Sequence, residues 1–174
     1  CGAMIEIRAR GIPVGLGAPI YSKLDMDISS AIMSINAVKG VNIGSGMSSA
    51  ALTGEENSDE ISQNRKKINF NSNNAGGIEG GMSNAQPIVV RAVMKPIPTL
   101  IKPLRSVDIN TKENQLAHKE RTDSCSVPAA SIVAESMLCF VLADAMLEKF
   151  GGDSIQEIKR NYKAYISSFK EYGK

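Results

Sequence analysis

The sequence predicts an α+β fold built in layers, and three stretches support this prediction. Residues 4–10 alternate apolar and polar side chains, which is typical of a strand with one buried face. Residues 23–35 repeat apolar side chains at helical spacing. Residues 127–150 are apolar on nearly every side, and a helix without a polar face must be covered on both sides. We therefore expect the long helix in the middle of a layered structure. The apolar positions of the first helix are Leu24, Ile28, Ile32 and Ile35.

The remaining elements are shorter and belong to one domain. A chain of 174 residues is long enough for one hydrophobic core and too short for two comfortable ones. An amphipathic helix is predicted near the C-terminal end, within residues 154–174. Residues 44–66 are polar and rich in small side chains, so we expect a flexible loop there. Further strands are predicted at 41–43, 67–72 and 87–94.

Composition excludes several classes of function. The net charge of +2 has no concentrated basic block, so nothing indicates nucleic acid as a partner. The three cysteines lack metal-ligand spacing, so we expect no metal site and reduced thiols in a cytoplasmic protein. No charge-free apolar run reaches membrane-spanning length. The single histidine, His118, lies in a polar segment and is more often solvated there than catalytic. Because the chain begins with Cys1 and a strand follows at once, we expect a piece of a longer protein.

A glycine-rich run is the most unusual segment of the chain. Residues 73–84 contain four glycines and three asparagines, a composition that disfavours both helix and strand. The bare backbone of such a run can approach a flat ring or a phosphate closely. The run is therefore either a ligand cradle or a flexible hinge, and composition alone favours the hinge.

Two further motifs carry polar groups suited to anions. Residues 95–99, Lys-Pro-Ile-Pro-Thr, form a rigid corner with a lysine, a threonine hydroxyl and two amides, which suits either an anion site or a stiffened strand exit. Arg121 and Asp123 precede the long helix. An arginine there could bind phosphate while the carboxylate handles a proton, or the two could form a structural ion pair, which is the commoner case.

Taken together, these segments resemble the C-terminal half of the chorismate synthase family over about residues 3–148. Five motifs in the same order carry the resemblance. They are residues 11–19 (Gly-Ile-Pro-Val-Gly-Leu-Gly-Ala-Pro), residues 31–41 (Ala-Ile-Met-Ser-Ile-Asn-Ala-Val-Lys-Gly-Val), the Asn-Asn-Ala-Gly-Gly run, the Lys-Pro-x-Pro-Thr corner and the Arg-x-Asp-x-Cys step.

The resemblance implies a fold and an activity. The family fold is a β–α–β sandwich, with helices packed between antiparallel sheets, assembled as a homotetramer. The family converts 5-enolpyruvylshikimate 3-phosphate to chorismate and phosphate by a 1,4-elimination that requires reduced FMN. By the same resemblance, the catalytic positions are Asp123 and Arg121. The FMN contacts fall on Asn36, Ala37, Gly80, Lys95, Pro96, Ile97, Pro98, Thr99 and Arg121.

The sequence also departs from the family pattern. The usual histidine, proline and arginine are replaced by Thr122, Ser124 and Ala129. The family's two catalytic histidines and most substrate-binding arginines belong to an N-terminal half that this sequence lacks. We therefore expect the chain alone to be inactive and to self-associate. The alternatives are a non-catalytic flavin- or phosphate-binding module and a purely structural interaction domain.

Overall fold

The structure is a computed structural model that describes residues 1–64, 67–121 and 125–169. Its strands are β1 (Ala3–Ala9), β2 (Val38–Ile43), β3 (Ile61–Asn64), β4 (Lys67–Phe70), β5 (Ile78–Glu79), β6 (Met82–Ser83), β7 (Ile88–Met94), β8 (Arg105–Val107) and β9 (Asn114–Leu116). Its α-helices are α1 (Leu24–Met33), α2 (Gly54–Asn57), α3 (Val127–Phe150) and α4 (Ile155–Ser168). The α+β class predicted from sequence is confirmed.

A three-stranded antiparallel sheet with the order β1-β7-β2 organises the fold. The alternation along β1 turns Ile5 and Ile7 inward and leaves Glu6 and Arg8 on the outer face. The central strand β7 buries every residue except Arg91 and Val93, and it places Arg91 on the outer face, directly opposite Glu6. The sheet therefore has one apolar face toward the core and one polar face. No second sheet of this size occurs among the described residues.

Helices α1 and α3 cover the inner face of the sheet. Three of the four positions predicted on α1 are confirmed, because Leu24, Ile28 and Ile32 are completely buried. The fourth, Ile35, lies beyond the end of the helix at Met33 and is partly buried. Helix α3 packs against α1 and β1 with a stripe of small and apolar residues. That stripe is Ala130, Ala134, Leu138, Leu142, Ala145 and Phe150. These side chains and the inner face of the sheet form a single core.

The described residues cover only one side of α3, contrary to the expectation that both sides would be covered. Ile132 and Phe140 on the opposite side are 63% and 73% exposed. By length and composition α3 alone, among the helices described, is apolar enough to cross a membrane. This is weak evidence, because a core helix of a soluble protein meets the same criterion, and the inner stripe of α3 does line the core here.

Helix α4 closes the fold with aromatic contacts. The ring of Phe150 meets Tyr162 and Tyr165 edge-on, at centroid distances of 5.4 and 5.5 Å. The Tyr165 hydroxyl donates to the Val14 carbonyl at 3.0 Å, which links the helix to the loop after β1. The α4 residues occupy much of the range 154–174 predicted as a terminal helix, and residues 170–174 lie outside the description.

Regular structure occupies much of residues 44–66, which we expected as a loop. The segment contains a 3-10 helix (Gly46–Ala51), α2 and β3. A capping box starts α2, since Thr53 accepts from the Glu56 amide and Glu56 accepts from the Thr53 amide. Strand β3 pairs with β4 as a hairpin. A second hairpin, β8–β9, follows the large sheet in sequence.

Candidate functional site

The glycine-rich run is a folded loop and a hairpin, held in place by an aspartate outside the run. Asp59 accepts from the Asn74 amide at 2.7 Å and from the Ala75 amide at 2.9 Å. Burial raises the pKa of Asp59, but the hydrogen bonds from Ala75, Ser72 and Asn74 outweigh it, so the pKa lies below its ordinary value. The carboxylate therefore stays ionised and fixes the loop.

Most glycines of this run allow two backbone segments to touch. A Cβ on Gly76 would lie 2.2 Å from the Gly44 nitrogen, and one on Gly77 would lie 2.6 Å from the Pro87 oxygen. Both residues have positive φ, which L side chains rarely adopt. Gly80 differs, because a Cβ there would meet nothing within 4 Å. Of these three glycines, only Gly80 faces open space at the turn of the β5–β6 hairpin.

The Lys95–Thr99 corner lies at the end of β7. The Lys95 amide donates to the Ala37 carbonyl at 2.9 Å, so the corner is joined to the residue after Asn36. Ala37 has φ +70, in the left-handed region, which turns the chain between α1 and β2. Within the described part of the chain, no backbone hydrogen bond uses the amides of Ile97 and Thr99. The corner therefore offers unused donors beside the Lys95 ammonium.

A mostly apolar cavity adjoins the corner. It has a volume of about 280 Å³, and Pro98, Thr99, His118 and the carboxylate-bearing Glu120 are among its lining residues. Residues 95–121 contain six basic and three acidic side chains, so this part of the sequence is basic overall. His118 is exposed, as the sequence predicted, and it lines this cavity.

Comparison with known proteins gives the family. A family model described as chorismate synthase matches residues 1–147. The chain belongs to the chorismate synthase family.

Individual chorismate synthases are also similar to this chain. The chain is 52% identical to a chorismate synthase of Geotalea uraniireducens over 181 residues, covering 98% of this chain and 46% of that protein. It is 59% identical to a chorismate synthase of Pelagibacter ubique over 147 residues, covering 84% of this chain and 41% of the relative. A crystal structure of chorismate synthase superposes with a TM-score of 0.79 at 41% identity, covering 98% of this chain and 44% of that one. The chain thus spans less than half the length of these relatives.

The residues that the resemblance predicted as flavin contacts fall into two groups in this chain. Asn36, Ala37 and the Lys95–Thr99 corner lie together, just beyond the C-terminal end of α1. Gly80 lies at the other end of that helix, because the Gly81 carbonyl accepts from the Leu24 amide at 2.9 Å. The ten residues of α1 span about 15 Å, at about 1.5 Å per residue. The expected convergence of Gly80 with the corner is thus not seen within this chain.

The two proposed catalytic positions differ in how far the structure describes them. Arg121 is exposed, and no hydrogen bond to it is found in residues 1–64, 67–121 and 125–169. Asp123 lies outside the described residues, as do the departures Thr122 and Ser124. Ala129 lies in the first turn of α3 and is exposed. No group of metal-ligating side chains occurs in the described ranges.

The residues of the corner fit the phosphate or the ring edge of a flavin. A ligand of this kind needs hydrogen-bond donors and a cation that are not already used within the protein. The amides of Ile97 and Thr99 and the exposed Lys95 meet that need. Pro96 and Pro98 fix the backbone between them, so these donors are held in place before a ligand arrives.

Proposed function

We propose that this chain is the C-terminal part of a chorismate synthase that converts 5-enolpyruvylshikimate 3-phosphate to chorismate and phosphate with reduced FMN. The observation that carries the proposal is the match of the chorismate synthase model to residues 1–147. The unused donors at the Lys95–Thr99 corner support it, since both FMN and the substrate carry a phosphate.

Each residue of the site has a proposed role. Asn36, Ala37, Gly80 and the Lys95–Thr99 corner bind and orient the cofactor, with Lys95 balancing its charge. Arg121 binds the departing phosphate, because a guanidinium donates two parallel hydrogen bonds to an oxyanion. Asp123 controls a proton near the cofactor. Reduced FMN, when bound, supplies electron density as the allylic phosphate leaves.

We propose that the chain alone is inactive. It spans less than half of its relatives, and Gly80 does not reach the corner within it. Completion of the site therefore requires further chain, a second copy, or both. The exposed side of α3 is the surface on which we propose self-association, as in a homotetrameric, cytoplasmic enzyme.

A complementation assay tests the proposal. The 174-residue chain with reduced FMN and 5-enolpyruvylshikimate 3-phosphate should release no phosphate above a protein-free blank. Adding the N-terminal half of the Geotalea uraniireducens relative should restore phosphate release. In that mixture, Lys95→Met should weaken FMN binding about tenfold, by loss of one charge-assisted contact. Lys102→Met, a matched loss of charge outside the proposed contacts, should leave it unchanged.

The outcomes separate the alternatives. Turnover by the chain alone contradicts the proposed inactivity. Saturable FMN binding without turnover in the mixture supports a non-catalytic flavin-binding module. Absence of both supports a purely structural domain and contradicts the proposed function.

A further inference from the structure

A second polar cavity lies on the outer face of the three-stranded sheet. It has a volume of about 500 Å³ and is lined by Arg8, Arg91 and Val89 of the sheet and by the loop that follows β4. This volume lies within the range typical of small-ligand sites, about 300–1,000 Å³. The cavity lies near the start of β7, whereas the Lys95–Thr99 corner follows its end. Arg91, which lines the cavity, precedes Lys95 by four residues, a distance of about 13 Å along an extended strand.

One carboxylate holds the two arginines of this cavity side by side. Glu6 accepts from the Arg8 Nε at 2.6 Å with one oxygen and from the Arg91 Nε at 2.7 Å with the other. The Arg91 Nη1 also donates to the Gly44 carbonyl at 2.7 Å. Within the described residues, both Nη groups of Arg8 and the Nη2 of Arg91 have no protein partner. The pair therefore has a net positive charge and unused donors in fixed positions.

The hydroxyls and amides of the cavity loop are already used. Ser72 donates to Asp59, and Ser45 donates to the Asn74 side chain. Asn73 donates to the Pro87 carbonyl and accepts from the Gly77 amide. These groups form the cavity wall, and their hydrogen bonds to the protein leave them little capacity to bind a ligand. The unused capacity of the cavity therefore lies mainly with the arginines, which are donors only.

Gln86 is a second and independent indication of a missing partner. Its side chain lines the same cavity and is 9% exposed. Its Nε2 is buried with no hydrogen-bond partner in the described part of the chain. Buried polar atoms are nearly always hydrogen-bonded, so an unpaired amide on a residue of the cavity wall calls for an acceptor.

We propose that this cavity binds a small organic anion through its oxyanion group, at a site separate from the Lys95–Thr99 corner. Arg8 and Arg91 donate to the carboxylate or phosphate oxygens of the ligand, and Gln86 donates to a further oxygen. The Phe70 ring on the cavity wall packs against the carbon skeleton of the ligand.

Calorimetric titration of the full 174-residue chain tests the proposal, with succinate and inorganic phosphate as separate probes at low ionic strength. At least one probe should bind saturably with a stoichiometry of one. A response to succinate alone identifies a carboxylate site, and a response to phosphate identifies a phosphate site. Arg8→Gln should weaken the affinity about tenfold, because charge-assisted hydrogen bonds are lost. Arg8 is half-exposed, so the fold should tolerate this change.

The matched control is Arg105→Gln, which removes the same charge from the exposed strand β8. It should leave the affinity unchanged. The proposal is overturned if neither probe binds saturably, or if both variants weaken binding equally, since that would show only the general attraction of a basic protein. Circular dichroism checks that each variant is folded.

Discussion

At the residue scale, the structure depends on single polar side chains that join distant segments. Ser83 is 2% exposed, accepts from the Leu16 amide and donates to the Pro13 carbonyl. Asp59 likewise fixes the loop at Asn74 and Ala75. Neither residue belongs to a local pattern, and their partners lie 15 to 70 positions away in the chain. Sequence periodicity therefore had no means of finding them.

The hydrogen bonds to Asp59 predict a pH dependence of stability. The pKa of Asp59 in the folded chain is lowered from its unfolded value of about 3.9. A lowered folded pKa adds stability above the unfolded pKa, and this contribution is lost as the pH falls through the folded pKa. Between about pH 6 and about pH 2, the free energy of unfolding of Asp59→Asn should thus change less than that of the unaltered chain. Urea titration at about six pH values in this range measures the difference.

Asp144→Asn is the control for this titration. It removes an exposed carboxylate from α3 that makes no hydrogen bond in the described ranges. Its pH profile should match that of the unaltered chain. An Asp59→Asn profile parallel to the unaltered one would contradict the assigned role of Asp59.

At the element scale, helices with a clear period were predictable. The spacing of Leu24, Ile28 and Ile32 predicted α1, and the apolar run at residues 127–150 predicted α3. The structure of the glycine-rich run was harder to predict, because its glycines are required by close contacts with residues outside the run. Gly76 faces Gly44 and Gly77 faces Pro87, and composition alone does not reveal such contacts.

Gly76→Ala should destabilise the chain by about 2–4 kcal/mol, from the cost of a left-handed non-glycine residue and of overpacking. The added Cβ would lie 2.2 Å from a backbone nitrogen, which cannot move independently. Urea unfolding followed by circular dichroism measures the loss.

Gly54→Ala is the matched control, since a Cβ there meets nothing within 4 Å. It should be neutral or stabilising by up to about 1 kcal/mol. Equal losses in both variants would show that the contact between Gly44 and Gly76 is unimportant.

At the scale of the whole molecule, the exposed side of α3 is the main departure from what the sequence predicted. Its apolar residues predicted cover on both sides, and the described residues supply it on one. Local sequence indicates that both sides of the helix are apolar, but it does not indicate what covers the exposed side. The same limit explains why the two groups of proposed flavin contacts looked like one site in sequence.

We predict that the chain self-associates through this side of α3. Light scattering should show a mass that rises with concentration, because Phe140 and Leu147 leave an apolar surface in water. Phe140→Lys combined with Leu147→Lys should shift the equilibrium to monomer. Gln115→Lys combined with Gln156→Lys adds the same charge at exposed polar positions outside α3 and should not. A monomer at every concentration would contradict the prediction.

The order of strands in the sheet also constrains how this chain can fold during synthesis. Both edge strands, β1 and β2, pair only with β7 in this sheet, so neither has a neighbouring strand until β7 has been made. The hydrogen bonds of Arg91 on β7 likewise reach residues 47 and 85 positions earlier. Loops of this length close slowly compared with helices and hairpins. A nascent chain that ends before residue 88 therefore exposes Ile5 and Ile7 to the solvent. This interval is when the protein most needs protection from aggregation.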